Sequence, residues 1–366
     1  MDSRVARTME PYLSRQFYNP SATYLAARAV RQALNQARHG VAQLIGARPA
    51  EVVFTAGATE ANNLAIQGLM RQYPKGEVLV STIEHESVLG PAGLFKHKKI
   101  PVNKSGIVQI DRLANLIDIR TVLISVMLVN NELGTIQPLR ELAKLIEEVR
   151  QARLAKANKL PIYLHTDAAQ AGNYLDLHAS RLGVDMMSLN GGKIYGPKQS
   201  GILYIKAGTN LRPLIVGGGQ EFGLRSGTEN VAAAIGFSCA LEIAQRQRAA
   251  ESNRITKLRQ DFETKLQKQI KKVMINGAKK QRAPHLLSVS FPGFDNERLM
   301  MELDERGIQC AVGSACSASR DEASPVLSAI GLDEPTARAT LRFSLGRQIT
   351  AAELDHVLRV LVELTA

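Results

Sequence analysis

The chain has 366 residues, of which 45% are hydrophobic and 22% charged, and it carries a formal net charge of +12. This composition is ordinary for a soluble globular protein with room for two domains. It also lacks both the ~18 to 20 consecutive apolar residues of a membrane span and the apolar core of a secretion signal. The basic residues are scattered and aromatics are only 5%, so we expect an acidic protein partner and no direct nucleic-acid binding.

The three cysteines, Cys239, Cys310 and Cys316, are odd in number and have no regular spacing. Free thiols in a reducing compartment are therefore expected, with no disulfide framework and no CxxC metal motif. Together with the missing signal sequence, this predicts a cytoplasmic protein without a membrane segment.

Short β-rich runs alternate with helical patterns through the first two-thirds of the chain. This alternation predicts an α/β domain with a mostly parallel sheet flanked by helices. Ligands of such sheets gather on loops at the carboxyl ends of the strands. The predicted strands are 78–81, 122–126, 162–165 and 202–205, and the predicted helices include 60–73 and 140–157.

A long helical pattern over 240–272 marks a change of domain. It is followed by predicted strands at 286–291 and 341–345 and predicted helices at 295–307 and 351–364. We therefore expect a large α/β domain over 1–245 and a smaller α+β domain over 246–366.

Small residues in the segment 55–65 predict a strand-to-helix turn. Its free backbone N–H groups and positive helix end suit a phosphate, and Thr59 can add a hydroxyl donor. Further on, His85 follows a predicted strand, where its ring can stack on a planar cofactor or move protons. The structural alternatives are a plain helix cap and a surface histidine.

Two further loops follow predicted strands. Asn131 lies in Asn130-Asn-Glu-Leu-Gly134, where its amide can reach a phenolic oxygen, although a simple turn is an equal alternative. Asp167 can keep a pyridine nitrogen protonated, and Gln170 can hydrogen-bond a ring oxygen. The alternative for Asp167 is a capping role.

Lys193 lies in the glycine-rich segment Asn190-Gly-Gly-Lys-Ile-Tyr-Gly196. Its amine can hold an aldehyde cofactor as a Schiff base, and we expect a desolvated pocket that makes the amine lose its proton readily. Thr228, in a second glycine-rich loop, can reach a phosphate. A lysine and a carboxylate in these roles predict pyridoxal 5′-phosphate (PLP) as the cofactor.

Cys316 lies among small residues in Gly313-Ser-Ala-Cys-Ser317, which predicts an exposed loop and a nucleophilic thiol. The alternative is an accidental surface cysteine. Arg342, on a predicted strand, is a candidate fork for a substrate carboxylate.

As a set, these segments resemble the cysteine desulfurases of the NifS/IscS type, within the PLP-dependent class V aminotransferase group. The resemblance runs nearly end to end. The segments that carry it are Thr55-Ala-Gly-Ala-Thr-Glu60, Glu84-His85, Val129-Asn-Asn-Glu-Leu-Gly134, Asp167-Ala-Ala-Gln170, Gly191-Gly-Lys-Ile-Tyr-Gly-Pro-Lys198, Arg225-Ser-Gly-Thr228, Gly313-Ser-Ala-Cys-Ser317 and Arg342-Phe-Ser-Leu-Gly-Arg347.

The resemblance implies PLP fold type I, a homodimer, and roles for individual residues. Lys193 would bind the cofactor covalently and shuttle protons, and Asp167 would pair with the ring nitrogen. The remaining implied cofactor contacts are a stacked His85, Gln170 and Asn131 near the ring oxygen, and Ala58, Thr59, Asn190 and Thr228 toward the phosphate. Asn131 and Arg342 would bind the substrate.

The implied reaction converts L-cysteine to L-alanine and leaves a persulfide on Cys316. That sulfur would pass to a scaffold or acceptor protein for iron–sulfur cluster assembly or tRNA thiolation, with Cys316 as a possible cluster ligand and no other metal site. The alternatives are a selenocysteine lyase or other class V enzyme, and a degenerate, non-catalytic scaffold partner.

Two departures from the family pattern affect the expected site. An Ala-Thr-Thr segment usually precedes the point where Met1 begins, so either the start differs or one wall of the substrate pocket is lacking. Asn190-Gly191-Gly192 stands where relatives commonly have Ser-Gly-His, which removes a histidine contact to the phosphate and implies weaker PLP binding.

Overall fold

The computed structural model describes residues 1–313 and 323–366. The helices in this part of the chain are α1 (Ser3–Ser14), α2 (Leu25–Leu44), α3 (Ala58–Gln72), α4 (Glu86–Gly93), α5 (Ile110–Leu116), α6 (Leu139–Ala155), α7 (Ala179–Leu182), α8 (Val231–Gln269), α9 (Asn296–Asp304), α10 (Pro325–Ala329), α11 (Glu334–Ala337) and α12 (Ala351–Leu364). The strands are β1 (Val52–Thr55), β2 (Glu77–Ser81), β3 (His97–Ile100), β4 (Thr121–Ser125), β5 (Tyr163–Asp167), β6 (Met186–Asn190), β7 (Gly201–Ile205), β8 (Met274–Asn276), β9 (Leu286–Ser290) and β10 (Thr340–Ser344).

The chain divides into two units. The first comprises Met1–Ile100, Ile110–Leu128 and Pro138–Gln247, and the second comprises Pro101–Gln109, Val129–Gln137 and Arg248–Ala366. Two short segments from the interval expected for the large domain thus belong to the second unit. Their membership depends on long-range contacts, which periodicity in the sequence does not reveal.

The first unit is built on a sheet in the order β1-β7-β6-β5-β4-β2-β3. The neighbours β6/β5, β5/β4, β4/β2 and β2/β3 are parallel, and β7 is antiparallel to both β6 and β1. Strands β2, β4 and β7 are buried along their whole length, as expected for a sheet covered on both faces. The predicted α/β fold with a mostly parallel sheet is confirmed.

Helix α3 packs against α4 and against β6 and β7 in the first unit. Its apolar side chains, including Leu64 and Leu69, join Val80 and Leu203 of the sheet in one buried cluster. This packing fixes the first turn of α3 beside the strand ends, where the candidate site residues lie.

The second unit contains an antiparallel sheet in the order β10-β9-β8. Helix α9 packs against β10 and α12. The predicted helix over 351–364 has the same bounds as α12, because a capping box of Thr350 and Glu353 marks its start. Among the helices of the described residues, none combines the length and the apolar composition of a membrane-spanning segment.

Two element boundaries differ from the sequence prediction. Helix α8 begins at Val231, nine residues before the predicted start, because its buried first turns (Val231-Ala-Ala-Ala234) are apolar and show no polar periodicity. Asp167 is the last residue of β5, not part of the following loop, because it still pairs with Ser188 of β6.

Candidate active site

A buried carboxylate, that of Asp167, ends β5 in the first unit. Its Oδ2 accepts a hydrogen bond from Asn62 Nδ2 at 2.7 Å, and its Oδ1 accepts one from the backbone N–H of Ala169 at 2.9 Å. Burial raises the pKa of Asp167, while these hydrogen bonds and a positive charge on His85 or Lys193 lower it. Asp167 and Lys193 therefore lie close enough to interact electrostatically.

A chain of hydrogen bonds links Asp167 to His85. Asn62, buried in α3, donates from Nδ2 to Ser87 Oγ at 2.9 Å as well as to Asp167, and Ser87 Oγ lies 2.8 Å from His85 Nδ1. Sequence reasoning assigned neither Asn62 nor Ser87. The sequence feature that could have indicated Asn62 is an asparagine inside a helical pattern. Asparagine is a poor helix former, and its amide needs a hydrogen-bond partner when it is buried.

The ring of His85 is fixed by the start of α4. Its Nδ1 accepts a hydrogen bond from the backbone N–H of Ser87 at 3.0 Å, so His85 is the N-cap of this helix. In the neutral ring the proton is then on Nε2. The imidazole is half-buried, and its orientation is set by its own helix, as stacking on a planar ligand requires.

Glu84 is a second buried acid beside this group. Its Oε1 accepts hydrogen bonds from Ser81 Oγ at 2.6 Å and from the backbone N–H of Met127 at 2.8 Å. Burial raises the pKa of Glu84 to about 8, and the negative charge of Asp167 acts in the same direction. At neutral pH Glu84 is therefore largely protonated and adds little negative charge next to Asp167.

The N-terminus of α3 presents uncapped backbone N–H groups. Gly57, at the N-cap, has a φ of +115°, a conformation that favours glycine, and no side chain of the described residues caps the helix. Ala58 is buried and Thr59 is exposed in the first turn. Because α3 is 15 residues long, its positive end and free donors suit an anion such as a phosphate.

The lysine segment forms a tight turn after β6. Asn190 Oδ1 accepts a hydrogen bond from the backbone N–H of Gly192 at 2.9 Å. A Cβ on Gly191 would lie 2.1 Å from Ser200 Oγ, so the turn requires glycine there. The side chain of Lys193 is exposed. The small residues of the turn leave Lys193 uncovered by its own segment, so the desolvated pocket stays a prediction for the cofactor-loaded protein.

The remaining predicted cofactor residues of the first unit lie on loops. Gln170 is half-buried, three residues after Asp167, and Thr228 is exposed, three residues before α8. The Thr228 loop is fastened to the first turn of α3 by an ion pair between Arg225 Nε and Glu60 Oε1 at 3.0 Å.

The second unit brings Asn131 and Arg342 together. Arg342 Nη1 donates a hydrogen bond to the backbone carbonyl of Asn131 at 3.2 Å. Burial lowers the pKa of the guanidinium, and the negative charge of Glu132 opposes that shift. The Nε of Arg342 is buried and has no hydrogen-bond partner among the described residues. Cys316, the predicted nucleophile, lies outside the described residues.

The first unit thus offers three groups with different chemistry. The start of α3 can bind an anion, Asp167 can accept a hydrogen bond from a protonated ring nitrogen, and Lys193 can react with a carbonyl. The buried Oδ1 of Asn62 has no hydrogen-bond partner among the described residues, so this region contains an acceptor that is not yet used. This donor and acceptor set fits PLP.

The chain is similar to known proteins along almost its whole length. The family model described as aminotransferase class V matches residues 1–357. The chain therefore belongs to the class V aminotransferase family, whose cysteine desulfurase branch is PLP-dependent.

Its relatives identify the branch. Cysteine desulfurase IscS of Dictyoglomus turgidum is 39% identical over 98% of this chain and 90% of its own length. The solved structure of a NifS-like protein aligns with a TM-score of 0.90 and 32% identity over 100% of this chain and 96% of its own. The structure of SspA in complex with cysteine aligns with a TM-score of 0.80 and 34% identity, covering 94% and 95%. The predicted NifS/IscS resemblance and PLP fold type I are confirmed.

Proposed function

We propose that the chain is a PLP-dependent cysteine desulfurase that converts L-cysteine to L-alanine and collects the sulfur on Cys316. The observation that carries the proposal is the buried Asp167 carboxylate, which accepts hydrogen bonds from Asn62 and the Ala169 N–H, in a chain that aligns with a cysteine desulfurase over 98% of its length. The similar protein SspA was solved in complex with cysteine, which supports the same substrate here.

Bound PLP supplies a ring that accepts negative charge from the substrate Cα. Asp167 keeps the ring nitrogen protonated, since its carboxylate accepts that hydrogen bond and its own pKa falls beside a cation. His85 would stack on the ring, and Gln170 and Asn131 would contact its oxygen. Backbone N–H groups and polar side chains hold the phosphate, and the residues that supply them are Ala58, Thr59, Asn190 and Thr228.

Lys193 would hold the cofactor through its amine, and the same amine would move a proton at the Cα of the substrate. Arg342 and Asn131 bind the amino acid, the guanidinium taking the carboxylate. The Cys316 thiolate attacks the substrate sulfur, so that an S–S bond forms as the substrate C–S bond breaks. Protonation of the remaining carbon gives L-alanine, and no external oxidant is needed.

The alternatives are less well supported. The relatives aligned along the chain are named cysteine desulfurases, which does not favour a selenocysteine lyase, another class V activity or a non-catalytic scaffold partner. We also propose that the protein is a homodimer located in the cytoplasm. Its sulfur goes to an acceptor or scaffold protein for iron–sulfur cluster assembly or tRNA thiolation.

The test is to add L-cysteine to the purified, PLP-loaded protein and measure L-alanine together with protein-bound sulfane sulfur. We expect both in wild type, and neither sulfane sulfur nor thiol-dependent turnover in Cys316→Ala. Cys239→Ala is the matched control and should behave as wild type. Faster turnover with L-selenocysteine, unaffected by Cys316→Ala, would replace the proposal with the lyase. PLP uptake without any alanine would contradict both.

A further inference from the structure

Glu132 is a buried acid of the second unit to which the proposed mechanism gives no role. Its side chain is only 3% exposed, and its Oε2 accepts a hydrogen bond from Ser324 Oγ at 2.6 Å. Burial raises the pKa of Glu132, while the Ser324 hydrogen bond and the positive charge of Arg342 lower it. An acid this deeply buried needs a reason to be retained, because an apolar residue would be less costly.

The backbone holds Glu132 and Arg342 in a fixed relation. Asn130 Oδ1 accepts hydrogen bonds from the backbone N–H groups of Glu132 at 3.0 Å and Leu133 at 2.8 Å, which closes the turn. The carbonyl of Asn131, within the same turn, accepts the hydrogen bond from Arg342 Nη1 at 3.2 Å. The turn that carries Glu132 is therefore tied directly to the guanidinium of Arg342.

Arg342 is also fixed through its main chain. It exchanges two backbone hydrogen bonds with Ala311, at 2.7 and 3.1 Å. Its Nε is buried without a partner among the described residues, so part of the guanidinium fork remains available to an anion. A carboxylate that binds there meets the attraction of Arg342 and, at longer range, the repulsion of Glu132.

We propose that Glu132 is the positioning residue that sets how tightly Arg342 holds an amino acid carboxylate. The inference rests on the proposed function, in which substrate and product both carry that group. When ionised, Glu132 weakens the capture of both L-cysteine and L-alanine, because like charges repel more strongly in a partly buried site than in water. Weaker product binding keeps Arg342 from trapping L-alanine after turnover.

The decisive variant is Glu132→Gln, which keeps an oxygen to accept from Ser324 and removes the charge. In the PLP-loaded enzyme we expect the KM for L-cysteine and the inhibition constant of L-alanine to fall together, by about two- to fivefold. With L-cysteine methyl ester, which lacks the carboxylate charge, the KM should not change. Unchanged or higher constants for both amino acids, or an equal change for the ester, would overturn the proposal.

Two further variants separate charge from structure. Glu297→Gln makes the same charge change on the exposed side of α9 and should leave every constant at its wild-type value. Ser324→Ala removes the hydrogen-bond donor that favours the ionised form of Glu132. The KM for L-cysteine should therefore fall, as it does in Glu132→Gln. A rise of KM in Ser324→Ala would contradict the role of the charge.

Calorimetric binding of L-alanine to the PLP-loaded protein keeps this test independent of turnover. Tighter binding of L-alanine to Glu132→Gln than to wild type would support the charge effect, whether or not the wild-type protein forms alanine from L-cysteine. A wild-type protein that forms no alanine would contradict only the proposed function. Equal L-alanine affinity in both proteins overturns the inference while an active wild type leaves the proposed function intact.

Discussion

The clusters around Asp167 and Arg342 differ in the groups that surround the central charged side chain. Asp167 is held by neutral donors, Asn62 and the N–H of Ala169, and the nearby acid Glu84 is largely protonated at neutral pH. Arg342 instead has the buried acid Glu132 near enough to interact with it electrostatically. Under the proposed function, the first cluster would keep an acid ready for one permanent cation, whereas the second would moderate a cation that binds and releases anions.

The largest effect should come from removing the group that attaches the cofactor. Lys193→Ala should lower alanine formation more than about a thousandfold, since both covalent attachment and proton transfer are lost. Borohydride reduction followed by peptide mass spectrometry should find PLP on Lys193 in wild type and not in the variant. Lys198→Ala, another exposed lysine of the same segment, is the control. Detection of PLP on a different residue in wild type would contradict the assignment of Lys193 as the attachment site.

Asp167→Asn tests whether the first cluster is built around a negative charge. Turnover should fall about a hundredfold or more, because the ring nitrogen loses its anionic partner. The rate of L-alanine formation by the two PLP-loaded proteins checks this, and equal turnover would show that the negative charge of Asp167 is not needed.

Asn62→Ala removes the neutral donor that distinguishes the first cluster. We expect a loss of about 1–3 kcal/mol in the free energy of unfolding, because Asp167 and Ser87 lose a buried hydrogen bond. Turnover should fall about tenfold. Asn63→Ala serves as control in denaturant titrations, because the half-buried Asn63 donates to Thr59 within the same helix. Equal stability of the two variants would show that the Asn62 hydrogen bonds do not support Asp167.

A pH slope in stability, without any expected change in turnover, sharpens the claim that Glu84 is neutral. Its pKa rises from 4.5 to about 8 on folding, so the folded state binds the extra proton between these values. The free energy of unfolding should then fall by about 1.4 kcal/mol per pH unit as pH rises through this window. Glu84→Gln should flatten that slope, while Glu86→Gln, which is exposed, should not. A slope that persists in Glu84→Gln would show that Glu84 ionises normally.

The sequence predicts those parts of this molecule that depend on local chemistry. The β-branched strands and the capping box of α12 are local patterns, and the motif order is enough to identify the family. The position of Asp167 at a strand end follows from the same logic, within two residues.

Other features depend on contacts between distant segments and could not be predicted. Asn62 and Asp167 are 105 residues apart in sequence, and Glu132 and Ser324 are 192 apart. The inclusion of 129–137 in the second unit is of this kind too. The exposure of Lys193 in this chain could not be predicted either, because glycine content predicts close backbone approach but does not tell which partner covers the side chain.

The role of Asp167 is best tested by ¹⁵N NMR of the protein loaded with PLP that is labelled at the ring nitrogen. We expect the chemical shift of a protonated nitrogen in wild type and of an unprotonated one in Asp167→Asn. An unprotonated nitrogen in wild type, or the same shift in both proteins, would contradict the assignment of Asp167 to the cofactor ring.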